Sequence, residues 1–167
     1  MLDLGGLDCK VLEAYTCVLM VSDEACKLQC LPFTKKDDET NCNQMLWKEF
    51  GGCAEVGLTT DMVTSVCNNC NILYHALDRT YKLVDFMYQD IHENFHAFQV
   101  TTDENDFANE TDIAKLEQVF EAHKLSIYYI LPEETFVELI TEPAQLNTLC
   151  GVSYVLVPNP NNQKDPY

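Results

Sequence analysis

The sequence predicts an α/β domain, a three-layer α/β/α sandwich with a mixed central sheet. Three observations carry that expectation. Continuous apolar runs recur at 95–100 (FHAFQV), 125–131 (LSIYYIL) and 152–157 (VSYVLV), as strands buried on both faces do. Segments with apolar residues three and four apart lie between them, which is the period of a helix face. Strands alternating with such helices build sheets covered on both sides.

Taken in order, 16–21 (TCVLMV) reads as a buried strand closed by Ser22-Asp23-Glu24. The stretch 26–42 holds Pro32, lysines and an acidic run, and reads as loop; 43–50 reads as a turn or two of helix ended by Gly51-Gly52. The clearest helix is 59–77. Met62, Val63, Val66, Cys70, Leu73, Tyr74 and Leu77 share one face there, with Thr59, Thr60 or Asp61 as cap. A second helix is expected over 81–88, where Leu83, Val84 and Met87 are apolar.

The strand at 95–100 breaks into Thr101-Thr102 and an acidic loop carrying Asp103, Glu104, Asp106, Glu110 and Asp112, with Phe107 among them and no base. Ile113, Leu116, Val119, Phe120 and His123 then mark an amphipathic helix capped by Asn109 or Thr111. After the strand 125–131, Pro132 and Glu133-Glu134 suit the first turn of a helix that buries Phe136, Val137, Leu139 and Ile140. A short helix at 143–149 precedes the strand 152–157, and Pro158 and Pro160 must leave the sheet. Residues 1–58 are expected to be an N-terminal extension of strand, loop and short helix, closing the main sheet through strand 16–21. Residues 59–167 form the α/β/α domain.

Composition narrows the functions. A chain of 167 residues with 47% hydrophobic content has enough apolar surface for a core. Its formal net charge of −17 repels phosphate backbones and anionic lipid, and favours a basic protein surface. Nine cysteines without a basic leader or long apolar span suggest a reducing compartment with free thiols.

Three strings in this order resemble the growth-arrest and DNA-damage-inducible family of small acidic stress proteins, over residues 59–166. They are ENFHAFQVTTDEND (93–106, with Asp112-Ile113-Ala114 opening the next helix), LSIYYILPEETFVELI (125–140) and SYVLVPNPNNQKDP (153–166). The resemblance implies a fold related to the ribosomal-protein superfamily that reads kink-turn RNA. It implies a non-catalytic adaptor in stress and growth-arrest signalling, found in nucleus and cytoplasm. It implies binding to a MAP kinase kinase kinase, the sliding clamp or cyclin-dependent kinase complexes, and self-association. The matching acidic loop makes Asp103, Glu104, Asp106, Phe107, Glu110 and Asp112 the partner-binding residues. Compared with the family, the chain lacks a last helix and strand, the helix after the acidic loop is shorter, and residues 1–58 have no counterpart.

Other chemistries compete. Cys67 and Cys70 form a Cys-x-x-Cys pair that shares one face of the expected helix. A zinc site needs two more ligands, from Cys26 and Cys30 or from His92 and His96, and neither spacing is a knuckle. Structural thiols are the simpler reading, so no metal and no cofactor are expected. His75, His92, His96 and His123 lack a nucleophile elbow or glycine-rich phosphate loop beside them. They are expected to be structural, and catalysis is not expected. Kink-turn RNA binding needs basic loops, and the loops here are acidic.

Overall fold

The computed structural model describes residues 9–21, 25–32, 46–77, 84–101, 110–121, 124–132, 134–135 and 152–156. Helix α1 spans Cys9–Met20, strand β1 Ala25–Pro32, β2 Leu46–Gly51 and β3 Glu55–Thr59. Helix α2 spans Met62–Asn68, followed by β4 Ile72–Ala76, β5 Phe86–Gln89 and β6 Phe95–Val100. Helix α3 spans Glu110–Val119, β7 Leu125–Leu131 and β8 Val152–Leu156. The chain is therefore mixed α/β, and its strands form one mixed sheet in the order β2-β1-β8-β7-β6-β5-β4-β3. The pairs β3–β4, β6–β7 and β7–β8 are parallel; β1–β2, β1–β8, β4–β5 and β5–β6 are antiparallel.

The central strands are buried on both faces, and side-chain alternation separates two cores. On one face Phe95, Ala97, Ile127, Tyr129, Leu131 and Met87 meet Met62 and Val66 of α2 and Ile113 and Leu116 of α3. On the other face Phe86, Tyr88, Phe98, Val100, Tyr128 and Ile130 meet Met20 of α1, and Leu28, Cys30 and Phe50 of β1 and β2. The strands expected at 95–100, 125–131 and 152–157 are β6, β7 and β8, the last ending at Leu156.

The N-terminal third corrects the sequence reading. Residues 16–21, expected as a strand, belong almost wholly to α1. Leu12, Thr16 and Met20, four apart, face the sheet side, while Val11, Ala14 and Val18 are exposed. That is a helical period. Leu12, Glu13 and Ala14, just upstream, are good helix formers that carry the segment beyond strand length. Buried Thr16 satisfies its hydroxyl by donating to Leu12 O at 2.7 Å, so a β-branched polar residue is tolerated there. The expected loop at 26–42 contains β1, and the expected helical turns at 43–50 contain β2; the two strands pair from Ala25–Gly51 to Cys30–Leu46. Closure of the sheet by 16–21 is likewise corrected, because it is β1 that pairs with β8.

The helix expected over 59–77 is also shorter. Asp61 is its cap, accepting from Thr64 N at 3.1 Å, but the helix stops at Asn68. Asn69 is extended at φ −137°, and Asn71 adopts φ 58°, a left-handed value asparagine tolerates. The chain then turns into β4, with Leu73 directed to the α1 face and Tyr74 and Ala76 to the α2 face. The expected helix at 81–88 gives way to β5, where Phe86, Met87 and Tyr88 are all buried. The part at 78–83 lies outside the described residues, as do most of the helices expected after Pro132 and at 143–149. Thr111 sits inside α3 rather than capping it; Asn109 lies outside the described residues.

The helical state of α1 is testable at Val18, which is 68% exposed. Val18→Pro is expected to cost about 3 kcal/mol or more, because it removes a helix hydrogen bond and clashes with the preceding turn. Val18→Ala should stay within about 0.5 kcal/mol of wild type. Urea unfolding of both variants checks this; equal, small effects would argue against the helix.

Candidate functional site

The two ends of β6 carry the polar groups of interest. At its carboxyl end, Asp85 replaces a missing strand partner: its N–H donates to Phe98 O at 2.9 Å, and its Oδ2 accepts from Val100 N at 2.8 Å. Thr101 is buried and its N–H donates to Ile130 O at 3.1 Å. The chain thus leaves the sheet towards 102–109 from a fixed point between β5 and β7. Asp103, Glu104, Asp106 and Phe107 lie outside the described residues. Glu110 opens α3 and Asp112 follows two residues later, so both acids sit at the positive end of the helix dipole. Asp112 is half-buried.

At the amino end, roughly 13 Å away at strand rise, sequence reasoning missed a buried polar network. His96 is only 8% exposed. Its Nε2 lies 2.9 Å from Asp90 Oδ2 and its Nδ1 lies 3.2 Å from the Tyr128 hydroxyl. The His96 ring stacks on Tyr88 at 4.7 Å between centroids, and Phe50 meets it edge-on at 6.5 Å. Asp90 Oδ1 accepts from His92 N at 2.8 Å and Asn94 N at 3.0 Å. Asp90 also holds the turn through its backbone: its N–H donates to Asn94 O, its O accepts from Glu93 N, and Cys70 Sγ donates to the same O at 2.9 Å. Glu93 takes φ 65° to close this turn.

Burial by itself would raise the Asp90 pKa. The hydrogen bond and charge of His96 and the two backbone N–H bonds more than offset it, so the carboxyl sits below its ordinary value. The Asp–His–Tyr chain has the connectivity of a proton relay. However, Tyr128 is fully buried and both His96 ring nitrogens are occupied, which suits a polar anchor rather than a general base. The signal in the sequence was the Asp90 to Asn94 spacing of an Asx-type turn.

The cysteine pair is not arranged as expected. Cys67 lies in α2, but Cys70 lies beyond its end in a bridge to Gln89. Both are exposed free thiols, and the partial desolvation of Cys67 still pushes its pKa up, away from the thiolate that binds metal. Cys17 is pushed up to about 11 by burial and by Glu13. Among the described residues no group of three His, Cys, Asp or Glu is placed to hold a metal ion. His75 stacks on Phe86 at 4.7 Å and approaches Glu13 of α1 at 3.8 Å. His92 is exposed, and His123 lies outside the described residues. No described helix is long and apolar enough to cross a membrane. No family model, curated protein or solved structure matches this chain.

The Asp90 anchor predicts a pH dependence. A carboxylate whose pKa is lowered by folding contributes stability that is complete above its unfolded value and is lost as pH falls through the folded one. Asp90→Asn should therefore destabilise the protein at pH 6 by about 1–3 kcal/mol. The difference should shrink as pH falls below the ordinary value of 3.8. Urea titrations at pH 6 and pH 3 measure this, and a difference independent of pH would contradict it.

Proposed function

We propose that this chain is a non-catalytic acidic interaction protein that binds a basic surface of a protein partner through the connection between β6 and α3. The observation that carries the reading is the run of acids, without a basic residue, from Asp103, Glu104 and Asp106 in the sequence between β6 and α3 to Glu110 and Asp112 in the first turn of α3, after a strand end pinned by Asp85 and Ile130. A rigid strand end can hold such charges towards a partner. A surface ion pair contributes about 1 kcal/mol or less. Together they raise association rates by roughly 10- to 1,000-fold and orient the encounter. Phe107 supplies the apolar anchor that rim charges do not.

The resemblance to the growth-arrest and DNA-damage-inducible family supports a place in stress signalling. On that basis the partners would be a MAP kinase kinase kinase, the sliding clamp or cyclin-dependent kinase complexes, met in nucleus and cytoplasm. The three-layer α/β/α reading is supported by the cores on both faces of the sheet. The kink-turn ribosomal-protein-like topology rests on the resemblance alone. Kink-turn RNA and metal are the competing ligands. The charge of −17 disfavours the first, and the bonding of Cys70 to Asp90 O disfavours the second.

The test is an affinity capture with the intact chain, followed by kinetics on the recovered partner. Replacing Asp103, Glu104, Asp106 and Glu110 by Asn or Gln should slow association by about 10-fold or more and flatten its salt dependence. Phe107→Ala should speed dissociation with an unchanged melting temperature. A loss of stability of roughly 3–5 kcal/mol would instead make Phe107 a core residue. Unchanged binding by the charge variant would remove the loop as the site.

A further inference from the structure

The sheet has a second surface suited to a partner, its β3 edge. β3 is the terminal strand, and among the described residues nothing pairs with its outer side. Leu77 N donates to Thr59 O at 2.8 Å. The carbonyl of Thr59 therefore faces β4, and by alternation the N–H and C=O groups of Val56 and Leu58 face outward. Both side chains are exposed, at 40% and 63%. In register, Val56 lies beside Leu73 and Leu58 beside His75, on the α1 face. Proteins blunt such edges with lysine, proline, bulges or inward charges. The other edge strand, β2, contains Lys48, whereas β3 (EVGLT) contains no lysine and no proline.

The opposite face of the edge carries one acid, Glu55, and leads to a second in the cap of α2. Glu55 and the buried Thr59 lie there beside Ile72 and Ala76, and the exposed cap Asp61 follows two residues after Thr59. The Asp61 carboxyl is held below its ordinary pKa by the Thr64 hydroxyl and N–H. Between the acids, Tyr74 leans over Gly57. A Cβ at Gly57 would meet the Tyr74 ring at 2.8 Å, so the half-buried ring takes the space a side chain would fill.

We propose that the β3 edge binds an extended basic segment of a partner protein by strand addition. The segment alternates aliphatic residues, set against Val56 and Leu58, with Lys or Arg residues, set against Glu55, Asp61 and the Tyr74 ring. Backbone hydrogen bonds supply affinity in this mode and the alternating side chains supply specificity; a cation over Tyr74 adds to it. A second copy of the chain fits less well. Two chains of −17 repel.

The probe is a fluorescent, acetylated and amidated Lys-Val repeat octapeptide, read by anisotropy and by amide exchange on the full chain. It should bind, weaken with added salt, and slow exchange at the Val56 and Leu58 amides. A Glu-Val repeat and a Lys-Val repeat N-methylated at alternate residues should each bind about tenfold more weakly or worse. Leu58→Pro removes an outward-facing N–H, a change edge strands tolerate, and should cost about fivefold to tenfold in affinity without lowering the melting temperature. If that variant folds poorly, the Val56→Lys, Leu58→Lys pair tests the same surface and should abolish binding of the lysine peptide. Glu55→Lys should weaken that peptide and flatten its salt dependence. The edge is independent of the acidic connection, so neutralising Asp103, Glu104, Asp106 and Glu110 should leave the Leu58→Pro effect and the exchange protection unchanged. Absence of protection at Val56 and Leu58 would overturn the proposal. So would self-association that strengthens with salt and is lost in Leu58→Pro, which would make the occupant a second copy.

Discussion

Burial of both faces of β6 and β7 is the constraint on which the rest of the structure depends. The apolar residues of β6 divide between two cores, Phe95 and Ala97 in one and Phe98 and Val100 in the other, and the parallel register from Phe95–Leu125 to Val100–Ile130 fixes which of them meet which helix. A slip of one residue would exchange the faces. It would drive His96 into the cluster of α2 and α3 and carry Phe95 and Ala97 towards α1. Each face must therefore be covered, α1 with β1 and β2 contributing on one side and α2 with α3 on the other.

A sheet buried on both faces leaves little room for polar side chains, so a histidine buried in its central strands must be satisfied. His96 meets that condition by drawing in Asp90 from the preceding turn and Tyr128 from the neighbouring strand. The same carboxylate organises the turn through the N–H groups of His92 and Asn94, and its carbonyl receives Cys70. One aspartate thus joins the β5–β6 hairpin, the end of the α2 segment and the aromatic cluster of Phe50, Tyr88, Phe98 and Tyr128. A half-satisfied network of this kind would cost more than an apolar core, which is why the turn accepts a left-handed glutamate at position 93.

The parts of the fold legible in the sequence were those where one signal dominated. LSIYYIL and FHAFQV are too short and too uniformly apolar for a surface helix, and they are strands. Asp61 was readable as a cap because its side chain reaches the first turn whatever follows. The failures have different causes. Apolar residues of β4, β5 and the connections beside them fell three and four apart, so Leu73, Tyr74 and Leu77 matched a helical spacing by coincidence, and so did Val84 and Met87. TCVLMV failed in the opposite sense. Its apolar run belongs to a helix whose exposed side also carries Val11, Ala14 and Val18, and no polar face announced it. β1 and β2 were hidden by Pro32 and by the polar residues between the strands, since their pairing is a non-local fact. Asp90 and Tyr128 were invisible as a site because they stand far apart in the sequence, and only the sheet brings them together around His96.

Charge and edge geometry act at different ranges, and the fold keeps them apart. A net charge of −17 acts over the whole surface and attracts any basic group without choosing among them. It falls off within about 8–10 Å at ordinary salt, so selection needs a surface that reads shape at contact. The sheet order sets β3 at one margin, three strands from β6, whose carboxyl end launches the acidic connection. A basic segment drawn in by the general field would meet, at β3, outward backbone groups that accept only an extended chain, and an apolar face that excludes a uniformly charged one. The acids around Glu55 and Asp61 then need supply only orientation. The same charge bears on an edge that no described residue covers: mutual repulsion of like chains opposes the edge-to-edge association that charged gatekeepers prevent elsewhere.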